Sequence, residues 1–146
     1  MKVKTINQTN NVQVQLKATI VQPEGREEFE FNEPGQIIQV GDAHYLRYVE
    51  VQDDIKTPVT FKFAADGSVV LTRHSENRAH FEFRLGQSIE THYQSAYGMM
   101  QLFVETEKMV LNFDENTNNG KLWVDYELKS ADNILGKYQI RLQFFS

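Results

Sequence analysis

From Val12 to Phe145, apolar and polar side chains alternate with a period of two, segment after segment, and that pattern leaves few folds open. Val12, Val14, Leu16, Ala18 and Ile20 point one way, and Gln13, Gln15, Lys17 and Thr19 point the other. Near the far end Tyr138, Ile140, Leu142 and Phe144 oppose Gln139, Arg141 and Gln143. Successive side chains of a pleated strand face opposite sides, so each segment offers one row to a core and one to water. A helix would smear both rows around its surface, because its period is near 3.6 residues. The expectation is an all-β chain.

The interruptions are those of β-structure. Gln22 to Gly25, Gly41-Asp42, Asp53-Asp54, Ser75 to Arg78 and Asn118 to Gly120 read as turns. Asp66-Gly67 is the best hairpin signal, since Asp-Gly suits the two positive-φ positions of a type I′ turn. At Pro34-Gly35 the apolar phase moves toward Ile38 and Val40, which predicts a bulge or kink there. Gly98 separates Tyr93 and Tyr97 from an opposite-phase run of Met100, Leu102 and Val104, which predicts a bulge or sharp bend. One short helical turn is expected at Ser130–Gly136, with Ser130 as its cap and Gly136 as its end. The remainder is about 8–10 strands joined by short connections. Strands adjacent in sequence are then adjacent in space, and such a meander must close or expose two long edges. The expected fold is therefore a single closed up-and-down antiparallel β-barrel over residues 1–146.

Composition sets outer limits. A chain of 146 residues, 40% hydrophobic and 12% aromatic, can build one core without staples. It has no cysteine, which removes disulfides and thiolate metal sites and fits a reducing cytoplasm. A formal charge of −5 disfavours tracking a phosphate backbone, so no nucleic-acid partner is expected. The polar stretch Met1 to Asn11 lacks the apolar core of a signal peptide. No apolar run is long enough for a spanning helix, and polar rows carrying Glu28, Glu30, Glu82 and Arg84 suit no lipid-facing barrel wall. The expectation is a soluble cytoplasmic domain with no membrane partner.

Three stretches carry a resemblance to a family. Tyr45-Leu46-Arg47-Tyr48-Val49-Glu50 lies on an early strand. Val69-Val70-Leu71-Thr72-Arg73 is followed by Phe81-Glu82-Phe83, and Tyr93-Gln94-Ser95-Ala96-Tyr97-Gly98 runs into an apolar strand ending at Thr106. Gly120 to Leu128 fits a penultimate strand. In this order and spacing the chain resembles the YwiB-like bacterial β-barrel proteins. The resemblance implies a lipocalin-like, calycin-type barrel, and it carries no activity to transfer.

Few residues suggest chemistry. Arg73 shares a face with Val69 and Leu71, so the alternation aims a guanidinium inward, where it needs carboxylate, carbonyl or aromatic partners. It would anchor the anionic group of a ligand, or else stack on Trp123 or another aromatic and close the barrel end. Ile89, Thr91, Tyr93, Ser95 and Tyr97 form a row with several hydroxyls, which would line a cavity or simply reach the rim. Tyr126 and Tyr48 are further candidates of that kind, although both faces of the Tyr45–Val51 strand carry apolar groups and its inward face is not legible. His44, His74, His80 and His92 have no chelating spacing, so no metal is expected. Glu24, Glu27, Glu28 and Glu30 read as a solvated acidic edge.

No nucleophile elbow, phosphate loop or dinucleotide fingerprint occurs, so neither enzymatic activity nor a cofactor is expected. The expected function is a non-catalytic barrel holding a small anionic or amphipathic molecule at Arg73, Tyr93, Ser95, Tyr97, Tyr126 and Tyr48. The alternative is a structural or protein-interaction module whose barrel is fully packed and empty of ligand.

Overall fold

The computed structural model describes residues 6–75, 78–131 and 133–146, with the side chains of residues 6–8 and of Ser95 outside that description. Ten strands follow one another: β1 (Ile6–Gln22), β2 (Gly25–Val40), β3 (Ala43–Gln52), β4 (Ile55–Phe63), β5 (Val69–His74), β6 (Arg78–Phe83), β7 (Ser88–Ser95), β8 (Gly98–Asp114), β9 (Asn119–Ser130) and β10 (Asn133–Phe145). They form one antiparallel sheet in the order β6-β5-β4-β3-β2-β1-β10-β9-β8-β7. Consecutive strands pair except β6 with β7, and β1 pairs with β10 to join the two halves, with Leu16 opposite Leu142.

The barrel is nearly closed rather than closed. Among the described residues no backbone ladder joins β6 to β7. The Thr91 hydroxyl instead donates to the His80 carbonyl at 2.6 Å across that seam. The connection between the two strands is also tied to β8, where Gly86 N–H donates to Thr106 O at 2.9 Å and Thr106 N–H to Gln87 O at 3.1 Å. Thr91, read above as part of a hydroxyl row, therefore spends its hydroxyl on closure.

Three local expectations are corrected and a fourth, the bend at Gly98, is met. Ser130 pairs with Asn133, so Ser130–Gly136 is a β-hairpin and not a helical turn. Ala131 has φ 53°, outside the helical range, and the pairing of two long strands outweighs a local capping signal. The Asp66-Gly67 turn is not type I′, because only Gly67 (φ 89°) takes a positive φ. Asp66 instead accepts from Ser68 N–H at 2.9 Å and Ser68 Oγ at 2.7 Å, while Gly67 N–H bonds Ala64 O, as in a longer hairpin loop with glycine at the left-handed position. The turn with two positive φ values is Asp53-Asp54 (52° and 64°), between the paired residues Gln52 and Ile55. Pro34-Gly35 makes no bulge against β1, whose register with β2 runs unbroken from Gln8–Gln39 to Gln22–Gly25. Gly35 is glycine because a Cβ there would lie 2.7 Å from Arg47 O and 2.8 Å from Val14 Cγ2. Lastly, Gly98 is the sharp bend itself, one side of the β7–β8 turn opposite Ser95. The phase slip of β8 comes later, between Thr106 and Lys108, where the inward row changes from Leu102, Val104 and Thr106 to Met109, Leu111 and Phe113.

The interior divides into two halves. At the end holding the β2–β3, β4–β5 and β8–β9 turns, Phe63, Phe113 and Phe144 pack with ring centroids 5.7–6.4 Å apart, and His44 meets Phe113 edge-on at 4.7 Å. Gly120 sits against Phe144, where a Cβ would lie only 2.7 Å from the ring's Cε1 and closer still to Cζ. Above this plug Leu46, Phe61, Leu122 and Val124 are fully buried. Each large side chain so buried contributes about 2–3 kcal/mol. Toward the opposite end the packing opens.

Candidate ligand cavity

The β1–β2, β3–β4 and β7–β8 turns lie at the open end, and beneath them is a cavity of about 660 Å³. Apolar groups from several strands form most of its wall, among them Leu16, Phe31, Phe61, Leu71, Leu102 and Ile140. The alternation explains their convergence, because every strand supplies its inward row.

Three polar residues sit together on one side. On β3 the inward row is Leu46, Tyr48 and Glu50, which settles the strand whose faces the sequence left open. Tyr48 is opposite Val59 on β4, and Val59 is opposite Arg73 on β5, so register alone sets Arg73 two strands from Tyr48. Arg73 Nη2 lies 2.6 Å from Glu50 Oε1, and the Tyr48 hydroxyl donates to Glu50 Oε2 at 2.6 Å. Glu50 is 2% exposed while the Arg73 side chain is 39% exposed, so the carboxylate is enclosed and the guanidinium reaches toward the mouth. Burial raises the pKa of Glu50, and the Arg73 charge and the two side-chain hydrogen-bond donors oppose that rise. Burial, then the adjacent Glu50 charge, raises the pKa of the Tyr48 hydroxyl and keeps it a proton donor.

Across the cavity Tyr126 stacks on Tyr138 with centroids 4.9 Å apart and planes within 9° of parallel, and it meets Phe83 at 4.8 Å. Burial raises the Tyr126 hydroxyl pKa. Tyr93 lines the same wall, half-buried.

The sequence candidates thus separate. Tyr48, Arg73, Tyr93 and Tyr126 surround one cavity. Tyr97 does not line it: it lies in the two-residue turn between Ser95 and Gly98, fully exposed, because the strand face on which it was counted has already ended. The side chain of Ser95 lies outside the described residues. Arg73 does not stack on Trp123, which is half exposed on the outer face with the Arg141 guanidinium 5.0 Å from its ring centroid. The residue the sequence reading missed is Glu50. Its signal was the demand of an inward Arg73 for a carboxylate, together with its place two residues from Tyr48. Among the described residues no group of histidine, aspartate and glutamate side chains could hold a metal ion, and no helix is long and apolar enough to cross a membrane.

The comparisons agree with this architecture. A family model described as a domain of unknown function (DUF1934) matches residues 14–142. The crystal structure of the ywiB protein from Bacillus subtilis superposes with a TM-score of 0.80 at 20% identity, covering 97% of this chain and 94% of that one. No curated protein matches.

Proposed function

The chain belongs to the DUF1934 family, and on that footing we propose that it is a non-catalytic, lipocalin-like cytoplasmic barrel that binds a small amphipathic molecule at its open end. The observation that carries this reading is the cavity of about 660 Å³. Small-molecule sites typically span roughly 300–1,000 Å³, with a mostly apolar lining and a few convergent polar groups. Here the apolar body of the ligand lies among Leu16, Phe31, Leu71 and Leu102, and its polar head meets Arg73, Glu50 and Tyr48. Arg73 keeps donors beyond the one turned to Glu50, so a head with an acceptor oxygen is bound there. Glu50 already balances the guanidinium charge, which favours a neutral or weakly anionic head over a fully charged one. The three groups are occupied with one another in a way that suits recognition better than proton transfer, and the reading needs no cofactor.

Native mass spectrometry of gently purified protein is the direct test. The expected result is a co-purifying mass, absent from the cavity-filling variant Ala18→Phe and reduced in Arg73→Met, with circular dichroism showing both variants folded. A folded Ala18→Phe that retains the same mass would place the ligand elsewhere and overturn the assignment.

A further inference from the structure

The wall of the barrel is incomplete between β2 and β3. Pairing of these strands runs from Val40–Ala43 to Gly35–Tyr48 and stops there, although β2 continues back to Gly25 and β3 continues to Gln52. The chain next reaches Pro34, which has no N–H to give to a ladder. From Gly25 to Pro34, β2 is paired on its β1 side alone. One whole edge of that stretch, with its outward backbone N–H and C=O groups, has no strand partner among the described residues, and Val49–Gln52 of β3 faces the same gap unpaired. An open edge is a template for an added strand.

The side chains select what fits. Phe29 and Phe31 are half-buried and point inward, whereas Glu28 and Glu30 stand on the outer face and Glu27 and Glu33 flank the two phenylalanines on the inner row. Arg26 holds Glu28 at 2.8 Å and Lys17 lies 3.9 Å from it, but among the described residues no ion pair engages Glu27, Glu30 or Glu33. A second copy of this edge would set carboxylates against carboxylates, which is unfavourable across paired strands. We propose that the edge from Gly25 to Pro34 takes up an extended basic polypeptide segment as an antiparallel strand, with two apolar side chains, two residues apart, beside Phe29 and Phe31. Backbone pairing supplies affinity, the carboxylates select for lysine and arginine, and the two apolar positions fix the register. The proposal does not depend on a small molecule in the cavity.

The test uses three fluorescein-labelled seven-residue peptides and fluorescence anisotropy on the full chain. The first has valine at its third and fifth places and lysine elsewhere, the second replaces its lysines with glutamate, and the third replaces its central lysine with proline. The expected result is binding of the first peptide, weakened by salt and by Glu30→Lys. Binding of the other two is at least tenfold weaker, and amide hydrogen exchange is slowed within Glu27–Glu33. Equal binding of the proline peptide would reduce the effect to charge attraction and overturn the proposal. Protection appearing elsewhere, or no binding by the first peptide, would overturn it too. The three-peptide comparison on the unaltered chain decides the matter even where Glu30→Lys does not fold. A Glu30→Lys chain that loses the peptide while keeping its cavity mass separates this site from the cavity.

Discussion

Arg73 and Glu50 form an unequal pair, with Nη2 and Oε1 2.6 Å apart, the carboxylate 2% exposed and the guanidinium side chain 39% exposed. The arginine can hydrate if it loses its partner, whereas the carboxylate cannot. Removal of the two groups should therefore have unequal consequences. Arg73→Met is expected to cost about 2–4 kcal/mol at pH 7, since it strands a buried charge, and Glu50→Gln less than about 1 kcal/mol. The pH dependence follows from the raised pKa of Glu50. The folded chain takes up that proton at a higher pH than the unfolded chain does. The stabilisation from this group is thus fully present below the ordinary carboxylate range and is lost as pH rises through the folded value. The Arg73→Met deficit should shrink from pH 7 to pH 5 in urea denaturation. A deficit that is the same at both values would show that Glu50 is not the stranded charge.

Asp66 titrates with the opposite sign. Its bonds from Ser68, and then from Arg84, lower its pKa from 3.8 to about 2. Its stabilising effect is present above the ordinary value and is lost as pH falls from there toward about 2. Asp66→Asn should flatten the stability profile in that window, and carboxyl carbon NMR should find the Asp66 midpoint well below its ordinary value of 3.8.

Across the seam between β6 and β7 the Thr91 hydroxyl donates to the His80 carbonyl. Thr91→Val keeps the shape and deletes the bond to His80 O, at an expected cost of about 1 kcal/mol. The readout is local: amides of Arg78–Phe83 should exchange faster with deuterium, while those of β1 and β10 keep their protection.

Gly120 gives the Phe144 ring its seat, so Gly120→Ala must push the aromatic plug aside. Overpacking of this kind costs about 1–3 kcal/mol. Thermal denaturation should show a drop of several degrees, and Gly120→Ala combined with Phe144→Leu should recover part of it.

Ala131 adopts φ 53° with no side chain able to bond its own backbone there. Left-handed backbone costs an ordinary residue about 1–2 kcal/mol, and glycine escapes it at some expense in unfolded-state entropy. Ala131→Gly should raise the stability measured in urea by about 0.5–1 kcal/mol. An unchanged midpoint would count against strain at this turn.

The strand rows were legible because burial imposes a period of two, and the short turns fixed which strands adjoin. What the sequence concealed was relational. Leu46, Tyr48 and Glu50 share an inward row, but Tyr45, Val49 and Val51 are apolar enough to compete for it, so neither the face nor Glu50 stood out. The approach of Arg73 to Glu50 needs register across β4, which no local pattern records. Ser130 and Gly136 look like helix ends only while the long partners on either side are ignored. Tyr97 was assigned to a strand face because two turn residues, Ala96 and Tyr97, preserve the spacing of a strand by accident. The cavity itself depends on strand tilt and stagger, which decide whether inward side chains meet across the axis.

The pairing of β1 with β10 also bears on how the chain finds its structure. Gln143 Nε2 donates to Gln15 Oε1 at 2.6 Å across 128 residues of sequence, so the backbone ladder that joins the two halves of the sheet links their most distant parts. Hairpins such as β3–β4 and β8–β9 are local and form early, but their union waits on a large loop closure. Topologies dominated by such contacts fold in roughly milliseconds to seconds. During synthesis β1 emerges long before β10, and its apolar row from Val12 to Ile20 stays without one of its two neighbours until the last strand arrives. The window for misassociation is therefore set by the length of the message between those two strands.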